Sequence, residues 1–570
     1  MIISMLMIIA AAIVVAAALL GAGASTHRIL TGHTKVDLTT CFWTGFAVVV
    51  GSLQLIHFEF ALNSPWVSPT LAGVGLLGLV WNRAALVDAM RIARPEHWSL
   101  SVGLVLFALW LANRGLAPLR SIDSGLYHLT SIKWASEAPL ALGLGNLHGR
   151  LAFNNASFLW LSALDQWPSV MRGFNFGASL LLYAAILTVT SRFRGKTTDA
   201  HPVGLSRIFY VLMSMPLLYA ASVMHVSSTG PDWIVLIIGV VLAVELASAQ
   251  SDVSDAEKRS RFLAVAALAT VGVTVKLSFA AIGLGALAIA GLQTFDLQQR
   301  SLGPWLRHLA PGLGLAICLL APWSIRSIAL SGYPAYPSTA LAAPVSWKVP
   351  AERANAELDW IVSWARAPGQ SPEAVLGNNE WLAPWLRNRL RNGDSIALFV
   401  APLALLIVAG FAAANRRRRP SATELGVALP FALGVIVWFA AAPDPRFLGG
   451  ALWALSASLL SSQFPRDELQ AAHRFGQRCI LALVGLVVLT YLGFVIYMGG
   501  ATGGAFIRPG PIQGRYPVKK IATNSFATQH GLTLNVPARG DQCWEAELPC
   551  TPYPAPRLRR QDGDRGFELQ

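Results

Sequence analysis

The stretch from residue 123 to residue 155 concentrates ionisable side chains between two apolar regions of the chain. Its ionisable members are Asp123, His128, Lys133, Glu137, His148 and Arg150. Residues 99–111 before it are almost purely apolar, and the residues that follow Phe174 are apolar again. Charged groups in a loop between apolar segments favour a functional explanation. This loop is therefore the first candidate for a functional site.

Asp123 is a single carboxylate, because Ser124 and Gly125 follow it without a second acid. A lone aspartate can act as a general base that removes a proton from a hydroxyl group. The alternative is structural, since an aspartate before a helical sequence is a good N-cap. His128 comes five residues later, and it could orient a substrate or make an ordinary hydrogen bond at the membrane interface.

A second block, GLGNLHGRLAFNN at 143–155, combines glycines with polar side chains. Gly143, Gly145 and Gly149 allow tight turns of the backbone close to a ligand. Arg150 and His148 could hold a phosphate, because a guanidinium matches phosphate oxygens in a fork geometry. Asn154, in the same block, is a further binding candidate. The alternative is a re-entrant loop whose glycines serve only packing.

Six more candidate residues stand near the ends of later apolar segments: Asp232, Lys276, Arg326, Tyr333, Asp444 and Arg446. Asp232 follows a proline and could instead cap a helix. Lys276 lies between two apolar segments, so it either reaches the interface or pairs with an acid. Asp444 and Arg446 flank Pro445 and could pair with each other or contact a ligand.

The composition predicts that transmembrane helices position these residues. The chain has 570 residues, of which 54% are hydrophobic and 13% charged, whereas soluble domains have about 25% charged residues. Repeated apolar runs are long enough to cross a bilayer core of ~30 Å, so we predict an all-α polytopic membrane protein with about fourteen transmembrane helices. The predicted spans are 2–24, 41–62, 67–82, 98–113, 170–190, 205–224, 232–249, 262–275, 278–292, 305–322, 396–414, 422–441, 447–462 and 479–498.

The distribution of basic residues predicts the topology. The net charge is +14, but most Arg and Lys lie in short connections between apolar runs, which is the bias of membrane proteins and argues against nucleic-acid binding. The first apolar run lacks a basic region before it and is predicted to be a retained helix with its N-terminus outside. The basic connections then face inside, and they contain Arg83, Arg91, Arg94, Arg192, Arg194, Lys196, Lys258, Arg259, Arg261, Arg416 to Arg419, Arg466, Arg474 and Arg478.

This topology puts every candidate site residue on the outer face. The predicted organisation is a transmembrane domain over 1–498, with external loops 114–169 and 323–395, and an external C-terminal extension over 499–570. We expect a multi-pass protein of the inner (plasma) membrane whose site faces the periplasm or the cell exterior.

Cys543 and Cys550 lie in the polar tail, and their spacing allows a small disulfide loop in an oxidising compartment. Two free thiols in a cytosolic tail are the alternative. Leu382, Leu386 and Leu390 recur at helical spacing with arginines between them, which predicts an amphipathic helix on the membrane surface. No sequence motif for a metal site is present, so no metal ligands are assigned.

An aspartate early in the first large external loop, many helices and a basic residue in a late loop resemble the GT-C superfamily. Its members are integral-membrane glycosyltransferases that use polyprenyl-phosphate-linked sugar donors. The blocks DSGLYH, GLGNLHGRLAFN, SGYPAYP, APDPRF and CWEAELPCTPYP also resemble an unassigned group of bacterial polytopic membrane proteins. The pattern departs from the superfamily because Asp123 follows the fourth predicted helix, whereas members often carry it after the first.

The resemblance implies a reaction and a set of roles. A sugar would move from a polyprenyl-phosphate-linked donor to an envelope glycan or lipid-linked acceptor, with inversion and with Asp123 as the base. Arg150, Lys276, Arg326 and Arg446 would hold the donor phosphate, whose developing charge needs stabilisation. The resemblance leaves open whether the reaction needs a divalent metal ion. Membrane lipids and the glycan acceptor are the expected partners.

Two other functions fit parts of the sequence. An envelope polysaccharide polymerase or ligase also works outside, and it would depend on arginines in 323–395 rather than on Asp123. A lipid or solute transporter or flippase would place charges near the bilayer midplane, whereas the ionisable residues here are predicted to collect at one face.

Overall fold

The structure is a computed structural model that describes residues 2–93, 98–119, 121–165, 167–169, 171–194, 205–223, 225–248, 254–294, 302–416, 420–464, 475–503, 518–561 and 566–569. The chain is mostly helical, at 72%, which confirms the all-α class. Several basic residues used to predict the topology lie outside these ranges, namely Arg94, Lys196, Arg417, Arg418, Arg419, Arg466 and Arg474. Residues 504–517, which join the last long helix to the tail, also lie outside them.

The first half of the chain holds helices of very different length. They are α1 (Ile2–Thr31), α2 (Leu38–Ile56), α3 (Val67–Trp81), α4 (Arg83–Ala93), α5 (Trp98–Gly115), α6 (Leu129–Glu137), α7 (Leu144–Leu147), α8 (Ala156–Ala163), α9 (Gly173–Phe193), α10 (Arg207–Ser222), α11 (Pro231–Ala247), α12 (Asp255–Val275) and α13 (Ala280–Gln293). Short 3₁₀ or π-helical turns lie between some of them, and the turn over Ser124–His128 is π-helical.

The second half continues with nine helices and four short strands among the described residues. They are α14 (Leu302–Ser331), α15 (Ala351–Arg366), α16 (Pro372–Val375), α17 (Leu382–Arg389), α18 (Gly393–Ser395), α19 (Ala401–Arg416), α20 (Ala422–Ala441), α21 (Ala451–Ser461), α22 (Phe475–Gly503), β1 (Thr523–Ala527), β2 (Thr533–Pro537), β3 (Leu558–Arg560) and β4 (Phe567–Leu569). The helix predicted from the leucine spacing is confirmed as α17.

Within the described residues, eight helices are long and apolar enough to cross a membrane. They are Ile2–Thr31, Leu38–Ile56, Trp98–Gly115, Gly173–Phe193, Leu302–Ser331, Gly393–Ala414, Ala422–Ala441 and Cys479–Gly500. The pair α3 and α4, bent by 80°, would bring the number to nine if it forms one span. The protein is therefore a membrane protein.

The structure has a helix at each of the fourteen predicted segments, but several are short or polar at one end. Helix α21 has 11 residues, so it is about 17 Å long and too short to cross a bilayer core alone. Helix α12 is long enough but begins with the charged sequence DAEKRSR. The count of fourteen spans stays a prediction.

Close backbone contact joins the first helices. A Cβ atom at Gly45 of α2 would lie 1.9 Å from the carbonyl oxygen of Leu19 in α1. Only glycine allows this approach, and small residues at such crossings are typical of membrane helix pairs. Helix α1 is thus an integral member of the bundle, packed against both α2 and α3.

Helix α11 forms the centre of the bundle. All its residues from Trp233 to Val244 are buried, and it packs against α9, α10, α12, α20 and α21. A helix that is apolar on every side is one that neighbouring helices surround. Its first turn carries Asp232 and its last turn carries Glu245, so an acidic side chain lies at each end of this buried helix.

The tail contains two antiparallel hairpins, β1–β2 and β3–β4, which the sequence analysis did not predict. It packs on the loop between α5 and α9. The backbone N–H of Phe567 donates to the Leu142 carbonyl at 2.9 Å, and the Thr551 hydroxyl donates to the Leu147 carbonyl at 3.0 Å. The tail therefore supports the loop that carries Asp123.

Candidate functional site

The π-helical turn over Ser124–His128 presents Asp123 at its start. The Asp123 side chain makes no capping hydrogen bond to this turn and is 30% exposed. The N-cap alternative is therefore not what the structure shows. Such π turns inside helical segments are frequent at functional sites.

Two arginines from distant parts of the chain flank the Asp123 carboxylate. Arg150 Nη1 lies 3.9 Å from Oδ1, and Arg446 Nη1 lies 3.6 Å from Oδ2. Both distances exceed those of a hydrogen bond, and among the described residues the carboxylate accepts none. Its oxygens are therefore open to a hydroxyl donor.

Each basic group of the site also has a carboxylate of its own. Arg150 Nε donates to Glu357 Oε1 at 2.8 Å, and Arg446 Nη2 lies 3.3 Å from Asp444 Oδ2. Lys276 forms an ion pair with Asp232, so it does not simply extend toward the interface. We call the set Asp123, Arg150, Asp232, Lys276, Glu357, Asp444 and Arg446 the Asp123 cluster.

The charge balance of the Asp123 cluster bears on phosphate binding. Its four carboxylates outnumber its three basic groups, so three of the four cations predicted to hold a phosphate, Arg150, Lys276 and Arg446, are already paired with acids. Burial opposes the charge of Arg446, but Asp444, Asp232 and Asp123 more than offset this and raise its pKa. Arg446 is thus a fixed positive charge at any working pH.

Two aromatic rings line the same site. The ammonium group of Lys276 lies 3.7 Å from the centre of the Phe447 ring, and the Arg446 guanidinium carbon lies 5.9 Å from it. The Arg150 guanidinium carbon lies 5.9 Å from the centre of the Tyr127 ring. Cation–π contacts of this kind hold the basic side chains in position. The sequence analysis missed both rings, as it missed Glu357.

Both candidate histidines are buried and neutral. His128 Nδ1 lies 3.1 Å from the Thr229 hydroxyl, and burial lowers the pKa of His128 to about 3. His148 Nδ1 accepts the backbone N–H of Arg150 at 3.2 Å, and burial together with Arg150 and Arg353 lowers its pKa to about 3. A neutral imidazole can donate or accept a hydrogen bond but offers no charge to a phosphate. Their roles in binding stay predictions.

A cavity of about 510 Å³ borders the Asp123 cluster. Its lining residues are Trp364, Pro368, Asn388, Arg389, Arg391, Asn392, Asp394, Ser395, Asp444 and Arg446. Arg446 and Asp444 belong to both the cavity and the cluster, so a ligand in the cavity would lie beside the neighbours of Asp123. Arg389 and Arg391 supply further positive charge, which the sequence analysis noted only as part of an amphipathic helix.

An exposed apolar strip lies next to this cavity. On α17, Leu382 and Leu386 are exposed while Trp385 and Arg389 are buried, and Leu390 beyond its end is also exposed. Trp364, which lines the cavity, is 48% exposed. Exposed leucine and tryptophan side chains in a membrane protein indicate contact with lipid. The cavity is thus basic inside and apolar at one edge.

Three predicted binding residues lie apart from the Asp123 cluster. Arg326 is buried and its Nη1 donates to Asn154 Oδ1, while the Asn154 amide donates to the Trp323 carbonyl at 2.8 Å. The Tyr333 hydroxyl is buried and donates to the Val349 carbonyl at 2.9 Å. The structure shows no ion pair between Arg326 and the cluster among the described residues. A role of these three residues in substrate binding remains untested.

The glycines of the 143–155 block contact protein. A Cβ at Gly143 would lie 2.1 Å from the Phe567 carbonyl, and one at Gly149 would lie 2.9 Å from Glu357 Oε2. These contacts agree with the packing alternative. Gly149 nevertheless lets Glu357 approach and hold Arg150 of the Asp123 cluster.

The tail reaches the site through a disulfide loop. Cys543 and Cys550 are joined, as predicted. Between them, the backbone N–H of Trp544 donates to the Gly125 carbonyl at 3.0 Å. A Cβ at Gly125 would lie 2.4 Å from the Trp544 ring. The loop therefore packs directly on the turn that presents Asp123, and only glycine leaves room for it.

Residues 5–453 match the family described as a domain of unknown function (DUF8201). The chain belongs to this family. No curated protein and no solved structure shows significant similarity to it. The part matched to the family contains the whole Asp123 cluster and the 510 Å³ cavity, whereas the disulfide loop lies beyond it.

The acidic side chains of the site do not fit a metal ion. Within the described part of the chain, no three His, Cys, Asp or Glu side chains lie close enough together to hold one. The carboxylates of the Asp123 cluster face basic groups instead. We therefore derive no step of the chemistry through a metal.

Proposed function

We propose that this chain is an integral-membrane glycosyltransferase that moves a sugar from a polyprenyl-phosphate-linked donor to an envelope glycan or lipid-linked acceptor. One observation carries the proposal. The Asp123 carboxylate lies 3.6 Å from Arg446, accepts no hydrogen bond among the described residues, and stands beside a basic cavity with an apolar edge. A base, a phosphate site and a lipid contact are what such a transfer requires.

The transfer would proceed in one displacement. The acceptor hydroxyl attacks the anomeric carbon of the donor sugar, and its proton passes to the Asp123 carboxylate. The bond from the anomeric carbon to the phosphate oxygen breaks, and the lipid phosphate leaves with the electron pair. Positive groups fixed beside the leaving oxygen stabilise its charge, and Arg446 has that position because it borders both Asp123 and the cavity.

The donor phosphate is best placed in the cavity, where Arg446 is joined by Arg389 and Arg391. Arg391 is exposed and makes no ion pair or side-chain hydrogen bond with any described residue, and Arg389 Nε also has no hydrogen-bond partner there. Both have donor capacity left for a phosphate. The exposed side chains of Leu386 and Leu390 would then lie along the lipid chain.

We also propose that this site faces the periplasm or the cell exterior, in a multi-pass protein of the inner membrane. The disulfide supports this side, because disulfides persist in oxidising compartments, and the disulfide loop contacts Gly125 beside Asp123. Basic residues such as Arg194 and Lys258 lie at the opposite helix ends, which agrees with the positive-inside bias. With the shorter helices counted, the fourteen predicted spans give the same orientation.

The substitution Asp123→Asn tests the function directly. It keeps the shape of the side chain but removes the base, so we expect the transfer rate to fall about 10³-fold, within the range of a general base. The measurement is profiling of lipid-linked glycans in a deletion strain complemented with the variant. Glu137→Gln is the matched control, because Glu137 ends helix α6 between the same two apolar regions and, among the described residues, its carboxylate pairs only with Lys133, at 3.8 Å.

The outcomes separate the proposal from its alternative. The proposal fails if the deletion leaves the lipid-linked glycans unchanged, or if the Asp123→Asn protein inserts normally and restores the wild-type profile. The arginines of the 323–395 loop that line the cavity, Arg389 and Arg391, favour a polysaccharide polymerase or ligase as the second candidate. That function is supported if Arg389→Gln abolishes activity while Asp123→Asn retains it.

A further inference from the structure

A second, much smaller cavity lies around Arg326, apart from the basic cavity described above. It measures about 20 Å³. The polar side chains that line it are His57, Ser131, Trp134, Asn154, Asn155 and Arg326, and the rest of the lining is apolar. It joins the end of α14, which carries Arg326, to α6, which carries Ser131 and Trp134.

Several hydrogen-bonding atoms around this cavity have no partner among the described residues. They include Arg326 Nε, the Trp134 indole nitrogen and the Ser131 hydroxyl, all of which are buried. Buried polar atoms of folded proteins nearly always have a partner. These three groups can all donate, and they line one space together with His57, whose ring nitrogens also have no partner among the described residues. A bound species that accepts hydrogen bonds would satisfy the donors.

The charge of Arg326 points to the kind of acceptor. The side chain is 7% exposed, and among the described residues its Nη1 bonds only to the neutral amide oxygen of Asn154. No carboxylate from the described part of the chain lines the cavity. A buried guanidinium without a counter-charge is costly, and buried charges are normally paired. An anion in the cavity would compensate the charge and accept the orphaned donors together.

The size of the cavity limits the anion. A space of roughly 10–15 Å³ holds one water molecule, so about 20 Å³ admits a monatomic anion but not a phosphate or a sugar phosphate. We propose that this cavity binds a halide, chloride under ordinary conditions, between Arg326, Ser131 and Trp134. The halide links α14 to α6 and so ties a transmembrane helix to the loop that presents Asp123.

Thermal unfolding of the purified full-length protein in detergent tests the site. We expect the unfolding midpoint to rise by several degrees when sodium gluconate is replaced by sodium chloride at constant ionic strength, because a ligand of the folded state stabilises it. Bromide should give the same rise. In a crystal grown with bromide, an anomalous peak is expected within contact distance of Arg326, Ser131 and Trp134.

Matched variants assign the effect to this cavity. Arg326→Gln removes the charge and should abolish the chloride-dependent rise. Ser131→Ala removes one donor with little change of shape, and Trp134→Phe removes another donor together with part of the indole ring. Each should raise the halide concentration needed for half of the rise at least fivefold. Arg28→Gln is the control, because Arg28 is an exposed arginine that packs on Trp81, and it should keep the full rise.

Three results would overturn the proposal. The first is equal stability of the wild-type protein in chloride and gluconate. The second is a chloride effect that Ser131→Ala and Trp134→Phe leave unchanged, which remains measurable even if Arg326→Gln does not fold. The third is a crystal grown with bromide in which the cavity holds water only. None of these results depends on glycosyl transfer, so the halide site and the proposed function fail separately.

Discussion

Two clusters of charged side chains lie at opposite ends of the central helix α11. Asp232 in its first turn belongs to the Asp123 cluster, and Glu245 near its end belongs to a second set. We call that second set, Asp37, Thr40, Arg192 and Glu245, the Arg192 cluster. Both clusters join acids and arginines from distant helices, but their local geometry differs.

The Arg192 cluster is closely hydrogen-bonded. Arg192 Nη2 lies 2.8 Å from Asp37 Oδ2 and 3.2 Å from Glu245 Oε1. The Asp37 carboxylate also accepts the backbone N–H groups of Thr39 and Thr40, at 2.9 and 3.1 Å, and both of their hydroxyls. The Asp37 carboxylate therefore has little capacity left to accept a hydrogen bond from another molecule, and this cluster holds the helix ends together.

The Asp123 carboxylate differs in both distance and partners. Its arginines lie 3.6 and 3.9 Å away, and a cavity of about 510 Å³ borders one of them. Similar residue types therefore form a closely bonded structural contact around Asp37, whose carboxylate accepts several hydrogen bonds, and a candidate reaction site around Asp123, whose carboxylate accepts none among the described residues. The unused capacity of the carboxylate, rather than charge itself, separates the two.

Replacing one arginine of each cluster by glutamine should give the largest difference between the two clusters. Arg446→Gln should lower transfer about 100-fold, the scale of a lost electrostatic contact to a leaving group, with little change in the unfolding midpoint. Arg192→Gln should instead lower the free energy of unfolding by about 2 kcal/mol, because it leaves two acids without their cation. This figure is below that of a fully buried pair, since the Asp37 side chain is 39% exposed and solvent screens it.

Glycan profiling and thermal unfolding of both variants in the same detergent provide the measurements. The distinction between a structural cluster and a reaction site is wrong if Arg446→Gln unfolds at a lower temperature than the wild type while Arg192→Gln does not. It is also wrong if folded Arg192→Gln protein loses activity as completely as Arg446→Gln.

His128, which is buried near the Asp123 cluster, should make the stability of the protein depend on pH. Burial lowers the pKa of His128 from 6.5 to about 3 in the folded protein, so the unfolded chain takes up the proton first. The contribution of the neutral His128 side chain to the free energy of unfolding is fully present above pH 6.5 and declines as the pH falls toward 3. At pH 5 the loss is about 2 kcal/mol, which His128→Gln should remove.

Unfolding of the wild-type and His128→Gln proteins at pH 7 and pH 5 measures this loss. The exposed His530, changed to Gln, is the control and should leave the difference between the two pH values as in wild type. An unchanged pH difference in His128→Gln would mean that His128 is not held neutral by the fold.

The smallest expected effect concerns the tail, which contacts the turn of Asp123. Replacing Cys543 and Cys550 by serine should lower transfer several-fold, because the Trp544 loop is then less firmly held against Gly125. The unfolding midpoint of the helical bundle should change little. Cys318→Ser, at a free cysteine of α14, is the control. Full activity of the double serine variant would show that the turn needs no support from the tail.

Local sequence predicted the helices, whereas the number of membrane spans stays a prediction. Every predicted apolar segment is helical, because a continuous apolar run in a membrane protein must satisfy its own backbone hydrogen bonds. The run that contains α21 looked like a span, yet its helix has 11 residues and is buried. An apolar pattern reports burial and does not distinguish lipid from protein as the surroundings.

The site was predictable in part, for reasons that differ between residues. Asp444 and Arg446 are two residues apart, so their pairing is local. Glu357 lies in an amphipathic helix with other charges, and nothing in that pattern separates it from a solvated acid. Its contact with Arg150 depends on how α15 packs on the 143–155 block.

The sequence by itself determined that this is a helical membrane protein with a lone aspartate in a polar loop and a cysteine pair in its tail. Hydropathy and short spacing are properties of neighbouring residues, so they can be read along the chain. Only the tertiary structure decided that Arg446 reaches Asp123 while Arg326 lines a different cavity. Those contacts join residues far apart in the chain. Helix packing, not local conformational preference, therefore decides which of several arginines lies beside Asp123.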